Sequence, residues 1–165
     1  MVVQVNSFGE LDFDALMEIY IEGNIENAEY FYPDEPREAG LALAVADFRN
    51  FLREKFFVKE AAQYWIWEEK GQYISALRFE GYQGGLLLEA LETRPDCRGR
   101  GYAKKLIRGV LKELPPKTKI YAHVSKRNTA SIATHRSCGF MQNLDYAVYS
   151  DGTVSNNSVT FTITT

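Results

Sequence analysis

Histidine and cysteine are scarce in this chain, two of each in 165 residues. Cys97 and Cys138 show neither the clustered spacing of a zinc site nor the numbers of a disulfide framework, so both read as ordinary thiols and no metal is expected. Proline is sparse at five, and no repeat, linker or low-complexity tract divides the chain. No run approaches the roughly 18 apolar residues of a membrane span, and no leader-like segment is visible. The expectation is a reduced, cytoplasmic protein with no membrane partner. Positive charge is also in deficit: 19 Lys and Arg against 22 Asp and Glu leave a net charge of −3. That balance removes the electrostatic case for the whole chain binding nucleic acid or an anionic bilayer.

Apolar and aromatic residues are abundant. Ten Phe, ten Tyr and two Trp, among 45% hydrophobic residues, are enough to fill the core of one domain. Charge is spread unevenly around that core. Glu22, Glu26, Glu29, Asp34, Glu35 and Glu38 meet only Arg37 in their stretch, whereas Arg94, Arg98, Arg100, Lys104, Lys105 and Arg108 meet only Asp96 in theirs. One region suits a cation and the other an anion, beyond the solubilising role of any charged run.

Periodicity gives the elements. Val2 to Asn6 reads as a strand, and Ser7 to Glu10 has capping-box spacing ahead of a helix carrying Phe13, Leu16, Met17 and Tyr20. Tyr30 to Pro33 interrupts, and Pro36 opens a second helix through about Lys55. Gln63 to Glu68 and Tyr73 to Gly81 form a hairpin through Lys70-Gly71, and the apolar run Leu86 to Thr93 reads as a strand buried on both faces. Ala103 to Leu114 is helical, Ile120 to Ser125 is a strand, and Thr129 to Ser137 is a helix capped by Gly139. Strands at Tyr146 to Ser150 and Ser158 to Ile163 flank the Asp151-Gly152 turn. The class is mixed α/β, in the order β-α-α-β-β-β-α-β-α-β-β.

The segment with the most chemistry is Arg98-Gly99-Arg100-Gly101-Tyr102-Ala103, between a strand and a helix. A strand that turns through glycines into a helix leaves the first helical N–H groups unpaired at the positive end of the dipole, which suits a pyrophosphate. A dinucleotide fingerprint would need a third glycine or alanine where Lys104 stands, and a Walker loop would need G-K-[ST]; both are absent. RNA binding through this basic cluster is disfavoured because no aromatic stacking platform accompanies it.

Arg98, Gly101 and Ala103 instead satisfy R-x-x-G-x-A after a strand, which resembles the acyl-CoA signature of the GNAT superfamily of N-acetyltransferases. A second stretch agrees. Asn128, Ser131, His135 and Gly139-Phe140 resemble the family's C-terminal motif, N-x-x-[AS]-x-x-x-Y-x-x-x-G-F, with His135 where most members carry tyrosine. The element order also resembles this family over nearly the whole chain, so residues 1–165 read as a single acetyltransferase domain with the GNAT fold.

The resemblance implies a set of roles. The two central strands splay, and pantetheine of acetyl-CoA lies in the gap. Arg98, Gly99, Arg100, Gly101, Tyr102 and Ala103 hold the pyrophosphate, Asn128 and Ser131 lie beside the pantetheine, and Leu91, Glu92 and Thr93 line the thioester end. His135 takes the place of the residue that protonates the leaving thiolate, and its reference pKa of about 6.5 suits an acid near neutrality. His123 falls five residues before Asn128, where the resemblance to the family's ribosomal-protein acetyltransferases, which carry a glutamate there, implies a general base. Alternation puts it on one face with Tyr121 and Ser125. Glu92 is the second candidate base; Glu89, three residues away, is expected on the opposite sheet face. The acceptor site falls in the first two helices, where Glu26, Glu29, Tyr30 and Tyr32 suit a cationic small-molecule or peptide amine. A non-catalytic acyl-CoA sensor of the same fold is the alternative, and either a monomer or a homodimer is compatible with the residues.

Overall fold

The computed structural model describes all residues, Met1–Thr165. Its frame is a seven-stranded sheet in the order β1-β2-β3-β4-β5-β9-β6. The strands are β1 (Val2–Val5), β2 (Gln63–Glu69), β3 (Gln72–Tyr82), β4 (Gly85–Thr93), β5 (Lys119–Ser125), β6 (Met141–Leu144) and β9 (Ser158–Thr164). Only β4 and β5 run parallel; every other neighbouring pair is antiparallel. Strands β7 (Ala147–Val148) and β8 (Val154–Ser155) form a separate two-stranded ribbon.

Five helices cover the sheet: α1 (Phe13–Ile19), α2 (Ile21–Phe31), α3 (Arg37–Phe51), α4 (Tyr102–Glu113) and α5 (Thr129–Ser137). Strand alternation divides the apolar residues into two cores. Leu77, Phe79, Leu88, Ala122 and Phe161 face α4, whose Leu106, Ile107 and Val110 recur at helical spacing. Tyr64, Ile66 and Ala76 face α1 and the π turn that ends α3, meeting Leu16, Ile19, Leu52 and Phe56. Leu87, between the residues of the first core, packs with Tyr82 and Tyr121 on the second face, as expected for a strand buried on both sides.

The mixed α/β class and the element order hold, with local corrections. The helix after β1 is capped by Asp12, whose carboxylate accepts the Ala15 N–H at 3.0 Å, and not by Ser7. Ser7 starts a 3-10 turn without a side-chain cap, and Glu10 accepts the Asn6 N–H at 2.9 Å instead. The same helix then breaks at Tyr20 into α1 and α2, because Tyr20 turns its ring onto Phe48 and its hydroxyl onto β4. The strand expected at Tyr146 to Ser150 shrinks to Ala147–Val148 and pairs with β8 across the Asp151-Gly152 turn. Met141–Leu144, not anticipated, forms the edge strand β6 on β9; its largely exposed residues give no alternation to read.

Candidate active site

The glycine loop leaves β4 through a 3-10 turn at Pro95–Cys97 and enters α4. Gly99 and Gly101 have φ of +75° and +78°, in the left-handed region that glycine tolerates. No protein atom lies within 4 Å of a Cβ built on either, so the requirement is conformational and leaves open space above the loop. Gly101 caps α4 without a side-chain bond, and the amides of Gly99, Arg100 and Gly101 donate to no backbone group. Those of Tyr102, Ala103 and Lys104 are first-turn donors with no carbonyl behind them. The loop borders a groove of about 460 Å³ whose other walls are Leu91, Glu92 and Thr93 of β4 and Asn128, Ser131 and Thr134 of α5. The loop motif and the Asn128 motif thus meet in one groove, and Cys97 and Lys104 also line it.

The basic residues around the loop are less available than their number implies. Arg94 grips Asp96 through two bonds of 2.7 and 2.8 Å and reaches Glu18 at 3.1 Å; this holds the Asp96 carboxyl down to about 2. Arg98 donates to Glu22 at 2.6 Å, Glu92 at 3.1 Å and the Thr93 carbonyl at 3.2 Å. Arg108 is spent on the Ser137 carbonyl, and Lys105 lies over the Tyr102 ring. Arg100 and Lys104 form no ion pair and stand exposed.

Strands β4 and β5 pair only from Leu86 to Leu88 with Ile120 to Ala122 and then part, which opens the groove. Just past that point β4 carries one extra residue: Arg78 lies opposite Glu89, yet Ala76 lies opposite Glu92. The extra residue is Ala90, at φ +50°. An inserted residue inverts side-chain parity, so Glu89 and Glu92 share one face and do not oppose each other as their spacing implies. Glu89 pairs with Arg78 at 3.4 Å, and Glu92 accepts both from Arg98 and from the Thr93 N–H.

His123 lies on that same face, immediately beyond the last residue of β5 that pairs with β4. Tyr82 and Tyr149 meet its ring edge-on at 5.4 and 5.5 Å. Its Nε2 is buried without a hydrogen-bond partner, and burial lowers its pKa. His135 sits deeper, 2% exposed beneath the groove and not on its wall, with Phe161 stacked on its ring and Phe140 edge-on. Nδ1 lies 2.8 Å from the Ser131 carbonyl and so carries the proton; Nε2 has no partner, and burial again lowers the pKa. Asn128 caps α5, its side-chain oxygen accepting the Ser131 N–H at 3.0 Å, and its amide nitrogen is left over at the groove.

The lowered pKa of His135 has a consequence for stability. Unfolded histidine takes its proton near 6.5, whereas the folded ring resists it, so stability is lost as pH falls from about 6.5 through the folded value. Melting curves at about pH 7.5 and about pH 5.5 are expected to show a smaller acid loss for His135→Gln than for the wild type. Equal losses in the two proteins would contradict the assignment.

The acceptor residues separate. Glu29 and Tyr32 line a cavity of about 340 Å³ between α2 and α3, closed by Ile25 and Leu41. The Tyr32 hydroxyl donates to Asp47. Glu26 and Tyr30 stand exposed on α2, with Tyr30 stacked edge-on against Phe31. Glu22 alone among these acids reaches the groove, through Arg98. One participant escapes sequence reasoning: Tyr20 reads there only as a core position at helical spacing. The expectation that Glu89 and Glu92 oppose each other fails because no glycine marks the bulge at Ala90.

No cluster of three or more His, Cys, Asp or Glu is placed to hold a metal, and no helix is long and apolar enough to cross a membrane. An N-acetyltransferase from Staphylococcus aureus Mu50 superimposes with a TM-score of 0.59 at 18% identity, covering 99% of this chain and 97% of that one. PaiA N-acetyltransferase from Thermoplasma acidophilum, solved in complex with coenzyme A, gives 0.63 at 12% identity over 100% and 99% of the two chains. The ribosomal-protein-S18-alanine N-acetyltransferase of Escherichia coli gives 0.59 at 16% identity over 99% and 94%. These likenesses concern the fold, and no curated protein matches the sequence. The model of the acetyltransferase (GNAT) family matches residues 15–140, a span that contains the glycine loop, the parted strands and Gly139-Phe140, and the chain belongs to that family.

Proposed function

We propose that the chain is an acetyl-CoA-dependent N-acetyltransferase that moves an acetyl group to a primary amine of a small molecule or peptide by direct attack. The observation that carries this reading is the groove itself, where the glycine-turned start of α4, without a side-chain cap bond, opens onto the gap left as β4 and β5 part. Six amides without protein acceptors, from Gly99 to Lys104, suit a pyrophosphate, and the unpaired edge of β4 beyond Leu88 suits a pantetheine lying as an added strand. The PaiA relative is a coenzyme A complex, in keeping with that use of the groove. Acetyl-CoA supplies the acyl group as a thioester.

A lysine-type amine has a pKa near 10.4 and must lose a proton to become a nucleophile. His123 is the proposed base. Burial lowers its pKa and so favours the neutral ring, and no protein group engages Nε2. Glu92 is the second candidate, but its carboxylate is already engaged by Arg98 and Thr93. The Leu91 N–H is the proposed donor to the thioester oxygen as charge gathers there, a contact worth about 3 kcal/mol in comparable sites. His135 meets a stricter condition as acid: with Nδ1–H committed to Ser131, Nε2 must first take up a second proton, which burial of the ring opposes, before it can pass one to the thiolate. A fall in kcat with rising pH that vanishes in a His135 variant is the mark of that role.

The proposed acceptor is cationic and is drawn to the acidic α2 region beside the groove, where Glu26 and Tyr30 stand exposed and Glu29 and Tyr32 line the neighbouring cavity. Thiol release from acetyl-CoA is to be measured against panels of polyamines, aminoglycoside-like amines and peptide N-termini. With the amine that turns over, Glu26→Gln combined with Glu29→Gln is expected to raise its KM about tenfold while KM for acetyl-CoA holds. An unchanged amine KM removes the acceptor assignment. Tight acetyl-CoA binding without turnover on any amine would favour the sensor instead.

A further inference from the structure

We infer that Tyr20 is the positioning residue of the peptide that polarises the acetyl carbonyl, an assignment that rests on the acetyl-transfer reading above. Tyr20 stands at the elbow between α1 and α2, and its hydroxyl donates to the Ala90 carbonyl at 2.6 Å. Ala90 is the extra residue of β4, and its left-handed conformation breaks the regular ladder at that carbonyl. No peptide bond is cis, so in the Ala90–Leu91 unit the N–H points opposite to the carbonyl that Tyr20 holds. Strand alternation agrees. The Arg94 N–H donates to Ile74 of β3 at 2.9 Å, whereas Thr93 presents its carbonyl to Arg98 and not to β3. Leu91, two residues before Thr93, therefore turns its N–H to the side from which β5 has parted. One hydroxyl fixes one end of a peptide whose other end faces the groove.

The elbow itself is seated on both sides. Glu18 takes Arg94 at 3.1 Å, Glu22 takes Arg98 at 2.6 Å, and the Tyr20 ring lies edge-on to Phe48 at 5.5 Å. Burial, reinforced by Tyr64, raises the Tyr20 pKa well above the usual phenol value and keeps the hydroxyl protonated as a donor. An amide that accepts a hydrogen bond at its oxygen becomes a stronger donor at its nitrogen. Tyr20 thus both aims and strengthens the Leu91 N–H without touching the substrate, and it ties the acceptor-side helices to the reacting carbonyl.

The test uses acetyl-CoA labelled with carbon-13 at the thioester carbonyl, bound to the protein without an amine and followed by difference infrared spectroscopy. In the wild type the carbonyl band is displaced from its position in solution; in Tyr20→Phe it is expected to return toward that position. Affinity for acetyl-CoA is expected to fall relative to CoA, CoA affinity is expected to hold within about twofold, and kcat is expected to drop about tenfold. The same band position in both proteins overturns the proposal. Should Tyr20→Phe fail to melt as a folded protein, 3-fluorotyrosine in place of Tyr20 keeps the volume and strengthens the donor. The band then moves further from its solution position, and no movement overturns the proposal. A wild type that binds neither CoA nor acetyl-CoA refutes the acetyl-transfer reading, and this inference with it, by a different readout from the carbonyl shift.

Discussion

Replacing His123 with alanine is expected to lower kcat about 100- to 1,000-fold while leaving CoA affinity within about twofold, the size and selectivity of losing a general base. The geometry separates the two effects. His123 lies just past the end of β4–β5 pairing, against Tyr82 and Tyr149, and it is not among the residues that line the groove at the glycine loop. The pH profile carries the sharper test. A neutral base must be unprotonated, so wild-type kcat is expected to show a limb that rises with pH through a value below 6.5, the direction in which burial moves this ring. The His123→Ala profile is expected to lack that limb. If kcat survives in His123→Ala and collapses in Glu92→Gln, proton removal belongs to Glu92, freed from its Arg98 contact.

The largest expected effect on stability comes from Gly85→Val, at about 3 kcal/mol, the upper range for forcing atoms into a packed site. Gln83 and Gly84, at φ +46° and +75°, close the β3–β4 hairpin in two residues, so Gly85 enters the sheet with no slack. A Cβ there would lie 2.2 Å from the Lys119 carbonyl oxygen, a backbone atom that no rotamer change can move. Relief requires β5 to shift away from β4, yet only Leu86 to Leu88 join those strands before they part. Urea unfolding measures the loss. A midpoint equal to that of the wild type would mean that the strands yield without cost, and that their separation is less fixed than this packing implies.

The candidate site was partly legible because its framework is local. Two glycines before a helical run, and Asn128 three residues before Ser131, are turn and cap signals that act within one helical turn, and the structure places both on a single groove. The alternation that put His123 with Tyr121 also held, since β5 carries no irregularity over that span. Glu92 and Glu89 show where such reading ends. Their relative face depends on Ala90, an ordinary residue in a left-handed conformation, and nothing in the local sequence marks it. The arginines show the same limit: Arg94 and Arg98 read as free charge for an anion until α1 and α2 bring Glu18 and Glu22 to them.

The sequence by itself determined the mixed α/β class, the order of the principal elements, the anion-accepting turn and the residues of the two family motifs, because periodicity, caps and glycine turns operate over a few residues. The tertiary structure alone decided which of those residues are free to act. It buried His135 between Phe140 and Phe161, engaged four of the loop's basic side chains, and set Tyr20 against the carbonyl of a residue 70 positions away. Those outcomes depend on strand register and on contacts between distant elements, and a single inserted residue in β4 is enough to change them.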